Sequence, residues 1–249
     1  MGLIDPDLLL RAYAIGVFPM SDGRRADEVY WVEPKRRAIL PLDRFHLSRS
    51  LRKTLRSGRF TVTADRDFDG VIARCAARAE TWINAEIEAS YRQLRALGHA
   101  HSIEVRMAGE LVGGLYGVRL GTAFFGESMF STETDASKVA LAWLVARLRV
   151  GRFRLLDCQF MTDHLRSMGA VEISQQRYLQ LLSAELDDAA GLLAGGVAAG
   201  AGGGSAGAVR RGAVALPAEF DALDRLLVDS SSAGTEPGCV IAQLLTQTS

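Results

Sequence analysis

The stretch from 101 to 131 restricts the fold more than any other part of the chain. It holds three apolar runs, "HSIEVRM", "ELVGGLYGVRL" and "TAFFGESMF", joined by the short turns "AGE" and "RLGT". Connections this short make consecutive strands antiparallel neighbours, so the segment reads as a three-stranded meander. A carboxylate, Glu127, stands in the middle of the third run. A carboxylate buried without a partner is costly, so Glu127 should be neutralised, paired or kept for a substrate.

The flanking segments read as shorter elements. "DPDLLLRAYAIG" has Asp5 as N-cap, Pro6 at the first helical position and Gly16 as a stop. A loop with "FPM" follows, then "VYWVEP" and "RRAILPL" as two short strands whose prolines confine them to edges or ends. "FTVTAD" reads as a strand, "FDGVIARCAAR" as a helix and "TWINAEIEASYRQLRALG" as a second helix ended by Gly98. After the meander come a helix in "TDASKVALAWLVARLRVG", a strand in "FRLLDCQF", a capped short helix in "TDHLRSMG", a strand in "AVEI" and a helix capped by Ser174. Three antiparallel strands, a helix, a parallel strand, a helix and a last strand is the order of an acetyltransferase-like (GNAT) N-acyltransferase domain. The fold class expected is therefore α/β (α+β), and the analogy suggests acyl transfer without naming donor or acceptor.

Three regions are expected: a small N-terminal α/β domain over 1–44, the acyltransferase domain over 45–186, and a low-complexity, disordered tail over 187–249. The Gly- and Ala-rich run beyond residue 188 has too little side-chain bulk to offset its ordering entropy and reads as a flexible linker. "LPAEFDALDRLLV" and "CVIAQLL" are the pieces of the tail able to dock back. The run at 189–208 is too weakly hydrophobic to hold a membrane span. "LLLRAYAIGVF" is flanked by Asp5 and Asp7, interrupted by Arg11 and followed by no cleavage site, so it reads as a mature helix rather than a signal peptide. Cys75, Cys158 and Cys239 form no CxxC pair and suit reduced thiols in a cytoplasmic protein. His99 and His101 share a strand face, but no third ligand has suitable spacing, so no metal site is expected.

Lys plus Arg equals Asp plus Glu at 29 each, so no global field recruits a polyanion. A local one does exist. Residues 44–60 carry Arg44, Arg49, Arg52, Lys53, Arg56 and Arg59 and no acid. On a helix, Arg49, Arg52, Lys53 and Arg56 fall at i, i+3, i+4 and i+7, with Leu47, Leu51 and Leu55 on the opposite seam. This is either a solvated surface helix or a phosphate-backbone contact, and the missing acid favours the second.

In "LLDCQF" the two-residue strand period puts Asp157 and Gln159 on one face and Cys158 on the other. The same parity puts Phe125, Glu127 and Met129 together and Phe124 opposite, unless Gly126 marks a bulge. Two other classes remain open at this level. An acetyl-CoA-dependent N-acetyltransferase would need a Gly-rich loop opening the helix after the meander, where the chain reads "STETDAS". A non-catalytic RNA-binding module would account for the basic face but not for "GESMF" or the Asp157/Gln159 pair.

The 99–144 stretch, with "LLDCQF" and "TDHLRSMGA", resembles the leucyl/phenylalanyl-tRNA–protein transferase family. "RAYAIGVFPM", "VYWVEPKRRAIL" and "HLSRSLRK" match its N-terminal motifs in order, and the likeness covers roughly residues 3–182. The resemblance implies a cytoplasmic monomer without cofactor or membrane segment. Its substrates would be aminoacyl-tRNA carrying Leu, Phe or, less well, Met, and proteins with N-terminal Arg or Lys, which the transfer marks for proteolysis. By the same resemblance Gln159 accepts a hydrogen bond from the attacking amine, and Asp157 orients the Gln159 amide and stabilises the charge developing on nitrogen. For such a reaction Glu127 is expected to receive the cationic N-terminus or the basic side chain of Arg or Lys. Leu115, Phe124, Met129, Leu141, Leu144 and Leu156 would form the aminoacyl pocket, and Trp31 and Trp82 would flank the terminal adenosine. Arg49, Arg52, Lys53 and Arg56 would bind the tRNA.

Overall fold

The computed structural model describes residues 2–194, 218–232 and 234–247. Local signals start most of its helices. α1 (Pro6–Ala14) is capped by Asp5, whose carboxylate accepts the Leu8 N–H at 2.9 Å, and is stopped by Gly16 at φ +79°. α2 (Arg49–Arg56) is capped by Ser48, α3 (Phe68–Ala76) by Asp67 and α4 (Ala85–Ala96) by Asn84. The Asn84 cap delays α4, so "TWIN" lies in the connection before it instead of in the helix expected there. "FPM" also differs from expectation: β1 (Phe18–Met20) pairs antiparallel with β2 (Tyr30–Val32) in a two-stranded ribbon.

The remaining strands form one sheet. β3 (Arg36–Ile39), β4 (Thr61–Ala64), β5 (Ala100–Met107), β6 (Glu110–Leu120), β7 (Ala123–Ser131), β8 (Leu155–Gln159) and β9 (Val171–Ser174) lie in the order β4-β5-β6-β7-β8-β3-β9. The 101–131 meander is present as β5–β7, and β8 joins β7 in parallel. β3 pairs antiparallel with both β8 and β9. A strand from the segment assigned to a separate N-terminal domain thus sits inside the main sheet, its flanking Pro34 and Pro41 lying beyond its ends. The result is a mixed α/β protein built on a mixed sheet.

Helices cover both faces. α3, α4, α1 and α7 (Gln175–Ala194) enclose a core of Leu9, Tyr13, Val71, Ile72, Tyr91, Tyr116 and Phe125. On the other face α5 (Ala136–Val150) packs against β5–β7, with Leu51 and Leu55 of α2 joining that core. α6 (Asp163–Ser167) follows β8 as a short capped helix.

α5 is buried nearly all round, including Trp143 and Arg147. A helix apolar on every side needs cover on its outer face too. α8 (Ala222–Ser232) and α9 (Pro237–Leu244) supply it. The tail expected to be disordered is therefore docked over 218–247, whereas the linker over 195–217 lies outside the described residues. Phe220 stacks on His101 and Phe124, at ring separations of 4.0 and 5.6 Å. Arg147 donates to the Phe220 carbonyl at 2.8 Å and to both Asp224 carboxylate oxygens. Among the described residues no helix is long and apolar enough to cross a membrane.

Phe220→Ala should cost about 3–5 kcal/mol of folding stability, the range for emptying a buried aromatic site. Urea unfolding checks this, and a change below about 1 kcal/mol would show that the tail does not contribute to the core.

Candidate active site

β7 and β8 pair from Ala123 opposite Leu155 to Phe125 opposite Asp157, and no further. Beyond that point each strand departs from regular geometry. In β7, Gly126 faces Gly117 and Ser128 faces Tyr116, which leaves Glu127 as the extra residue of a bulge. The bulge overturns the simple parity. Phe125 and Glu127 stay on the α3–α4 face, but Met129 moves to the face of Phe124 and packs with the α5-side core. In β8 the last residue, Gln159, takes a left-handed φ of +60°. For a non-glycine residue this costs roughly 1–2 kcal/mol, so the surroundings must hold it there.

Asp157 does much of that holding. It is fully buried and accepts the Gln159 backbone N–H at 2.8 Å. The same carboxylate accepts Arg37 Nε at 2.9 Å, Arg37 Nη2 at 2.5 Å and the Tyr178 hydroxyl at 2.8 Å. Its lone pairs are taken, so it acts on Gln159 through the backbone and makes no hydrogen bond to the Gln159 side-chain amide. That amide is set by Glu127 instead: Gln159 Nε2 donates to Glu127 Oε1 at 3.0 Å, which turns the amide oxygen away from the carboxylate.

Glu127 is held by hydroxyls. Tyr13 donates to its Oε1 at 2.7 Å and Tyr91 to its Oε2 at 2.9 Å, and the two phenols also touch each other. Burial pushes the Glu127 carboxyl up to about 7 against the opposing effect of these hydrogen bonds. Burial likewise raises both phenols well above their ordinary value, so they stay protonated as donors. Tyr13, Tyr91, Arg37 and Tyr178 were not singled out from sequence. Their one visible signal is a polar group at a position whose helical or strand neighbours are apolar.

Glu127 and Gln159 border a pocket of about 700 Å³. Leu115, Met129, Leu141, Leu144 and Leu156 line its apolar part, and Trp82 its rim. Phe124 lies behind that lining as a fully buried core residue, and Trp31 is exposed on β2, away from the lining. Arg49, Arg52, Lys53 and Arg56 form the exposed face of α2. Thr54 of that helix reaches Asp135 at 3.4 Å, just before α5, whose Ser137 borders the pocket. Among the described residues no His, Cys, Asp and Glu cluster could hold a metal ion, and His101 pairs with Asp65 at 2.7 Å.

The family described as leucyl/phenylalanyl-tRNA protein transferase matches residues 39–183, and its N-terminal domain matches residues 2–35. The chain belongs to this family. A leucyl/phenylalanyl-tRNA–protein transferase of Rhizorhabdus wittichii is 62% identical over the whole of both chains. One from Zymomonas mobilis is 67% identical over 72% of this chain and 69% of its own. The crystal structure of FemX overlaps 71% of each chain at 12% identity and a TM-score of 0.47. The family match spans every pocket residue named above, and it ends before α8 and α9.

The Glu127 carboxyl fixes a pH dependence. Its folded value, about 7, lies above the ordinary 4.5, so the unfolded chain releases the proton first as pH rises. Stability should fall between about pH 4.5 and 7, by on the order of 3 kcal/mol, relative to Glu127→Gln, and run parallel to it outside that window. Urea titrations of both proteins across pH measure this difference. A constant difference would mean that Glu127 ionises normally.

Proposed function

We propose that this protein moves Leu, Phe or, less well, Met from aminoacyl-tRNA to the α-amine of proteins beginning with Arg or Lys, marking them for proteolysis. It would do so as a cytoplasmic monomer, in an acetyltransferase-like domain. The observation that carries this reading is the Gln159–Glu127 pair at the edge of the apolar pocket.

The donor ester is already activated, and the acceptor is an α-amine whose ordinary pKa is about 8. The leucyl or phenylalanyl side chain enters the pocket lined by Leu115, Met129, Leu141, Leu144 and Leu156, which places the ester carbonyl near Gln159. The amide oxygen of Gln159, turned from Glu127, accepts a hydrogen bond from the amine and orients its lone pair. Attack forms the C–N bond, breaks the ester C–O bond and leaves the amine proton for the departing ribose oxygen. Holding both partners in attack geometry supplies up to about 7–11 kcal/mol in well-oriented systems.

The amine arrives mostly as ammonium. Glu127 borders the same space and, at about 7, sits within roughly one unit of that amine, so passing the proton between them costs only about 1–2 kcal/mol. Glu127 thus receives the cationic N-terminus and can discharge it. Asp157, closed in by Arg37 and Tyr178, positions Gln159 without touching substrate. The exposed cations of α2 supply a phosphate-backbone contact for the tRNA body.

Purified protein with radiolabelled Leu-tRNA should label a peptide beginning with Arg and not one beginning with Ser. Gln159→Ala should lower kcat by about 10²-fold or more. Glu127→Gln should raise the acceptor KM far more than the tRNA KM. Transfer to both peptides alike, or full activity of Gln159→Ala, would refute these roles.

A further inference from the structure

The pocket is electrostatically lopsided. Arg74 and Arg78 both border it and both are exposed. Arg74 stands in the last turn of α3 and Arg78 two residues beyond its end. Arg78 reaches the Met129 carbonyl at 3.4 Å, and neither guanidinium has an acidic partner among the described residues. The helix dipole favours cations at this end, but equally on the solvent side, so their place on the pocket rim needs another reason. Trp82 belongs to the connection that follows, held edge-on to Tyr91 at 6.5 Å. One wall therefore combines two cations that have no acidic partner with an aromatic face.

The far side differs. Gln159–Thr162 continues β8, across β7 from the strands under α3. It carries no Lys or Arg of its own, and burial, with the charge of nearby Lys138, holds His164 below its ordinary value. A reaction joining an RNA end to a cationic peptide has one substrate for each side. The arginines would attract the first and repel the second.

We propose that Arg74 and Arg78 bind the last phosphodiesters of the single-stranded 3′ end of the donor RNA. The Gln159–Thr162 side is thereby left to the cationic acceptor. The proposal rests on the function argued above and adds a second cationic site to α2. The two are separable, because Leu51 and Leu55 anchor α2 on one face of the sheet whereas Val71 and Ile72 anchor α3 on the other. Cations beside an aromatic face are the combination that holds single-stranded nucleic acid.

The test compares R74A/R78A with R52A/K53A/R56A and the unaltered protein. Fluorescence anisotropy reads binding of a labelled single-stranded RNA ending in CCA over a range of salt. R74A/R78A should weaken binding about tenfold and lower the salt slope by about 1.4, the value for two single-strand phosphates. The α2 variant should bind this short RNA as the unaltered protein does. In transfer assays R74A/R78A should raise the KM for Leu-tRNA and leave the KM of the Arg peptide unchanged. It should also leave transfer from 3′-O-leucyl-adenosine, which has no phosphate, unchanged. Unaltered RNA affinity and salt slope would overturn the proposal. Equal loss with leucyl-adenosine would overturn it too, by showing a damaged pocket. Binding is read without catalysis, so a protein that transfers nothing would refute the function and still decide this site.

Discussion

The buried ion pair between Arg37 and Asp157 is the interaction on which the rest of the site depends. Neither side chain exceeds 1% exposure. The guanidinium gives Nε and Nη2 to Asp157 and Nη1 to the Gly16 carbonyl at 3.0 Å, and lies between the rings of Phe18 and Tyr178. One planar cation thus ties β3, β8, β1, the end of α1 and α7 together. Such a pair is a weak source of net stability, but losing one partner leaves an uncompensated buried charge, at about 3–5 kcal/mol. It therefore enforces geometry. Asp157 is fixed, and Gln159 keeps its unfavourable backbone conformation because Asp157 accepts its N–H.

The two carboxylates of the site diverge because their partners differ. Asp157 faces a permanent cation, Arg37. Glu127 faces two phenols and an amide, which cannot neutralise it, so burial leaves its charge undecided near neutral pH. Glu127 keeps the face it shares with Phe125, where Tyr13 and Tyr91 lie, and the bulge leaves it without a cross-strand partner. Gly117 permits the bulge. A Cβ there would meet the Phe125 carbonyl oxygen at 2.3 Å and Phe124 Cε1 at 2.4 Å, so no larger residue allows β6 and β7 this approach.

Elements with a strong period were legible in the sequence. The meander, the α2 stripe and the helix after "TDAS" all follow from spacing between near neighbours. A bulge shifts register by one residue and leaves no trace in hydrophobicity; only Gly126 hints at it, and with it Met129 leaves the face of Phe125 for that of Phe124. Arg37 was hidden for another reason. It follows Lys35 and Arg36 at the start of a short strand, and its burial depends on a carboxylate 120 residues away. Trp31 and Phe124 show the limit of matching by resemblance: the type fits, but neither borders the pocket. Trp82 and the five aliphatic residues matched by the same resemblance do border it.

The docked tail was legible in principle, through the helix it covers instead of its own composition. "VALAWLVARL" leaves no polar face wide enough for solvent, so a sheet on one side cannot satisfy it. Arg147 sharpens the point. A buried arginine in an apolar helix requires an acceptor from outside that helix. Asp224 and the Phe220 carbonyl provide it, from beyond the Gly-rich run. Low complexity in a connecting segment thus says little about the residues after it. The unmet demand of α5 said more, because a surface that must be buried predicts a partner even where the partner's own sequence is weakly patterned.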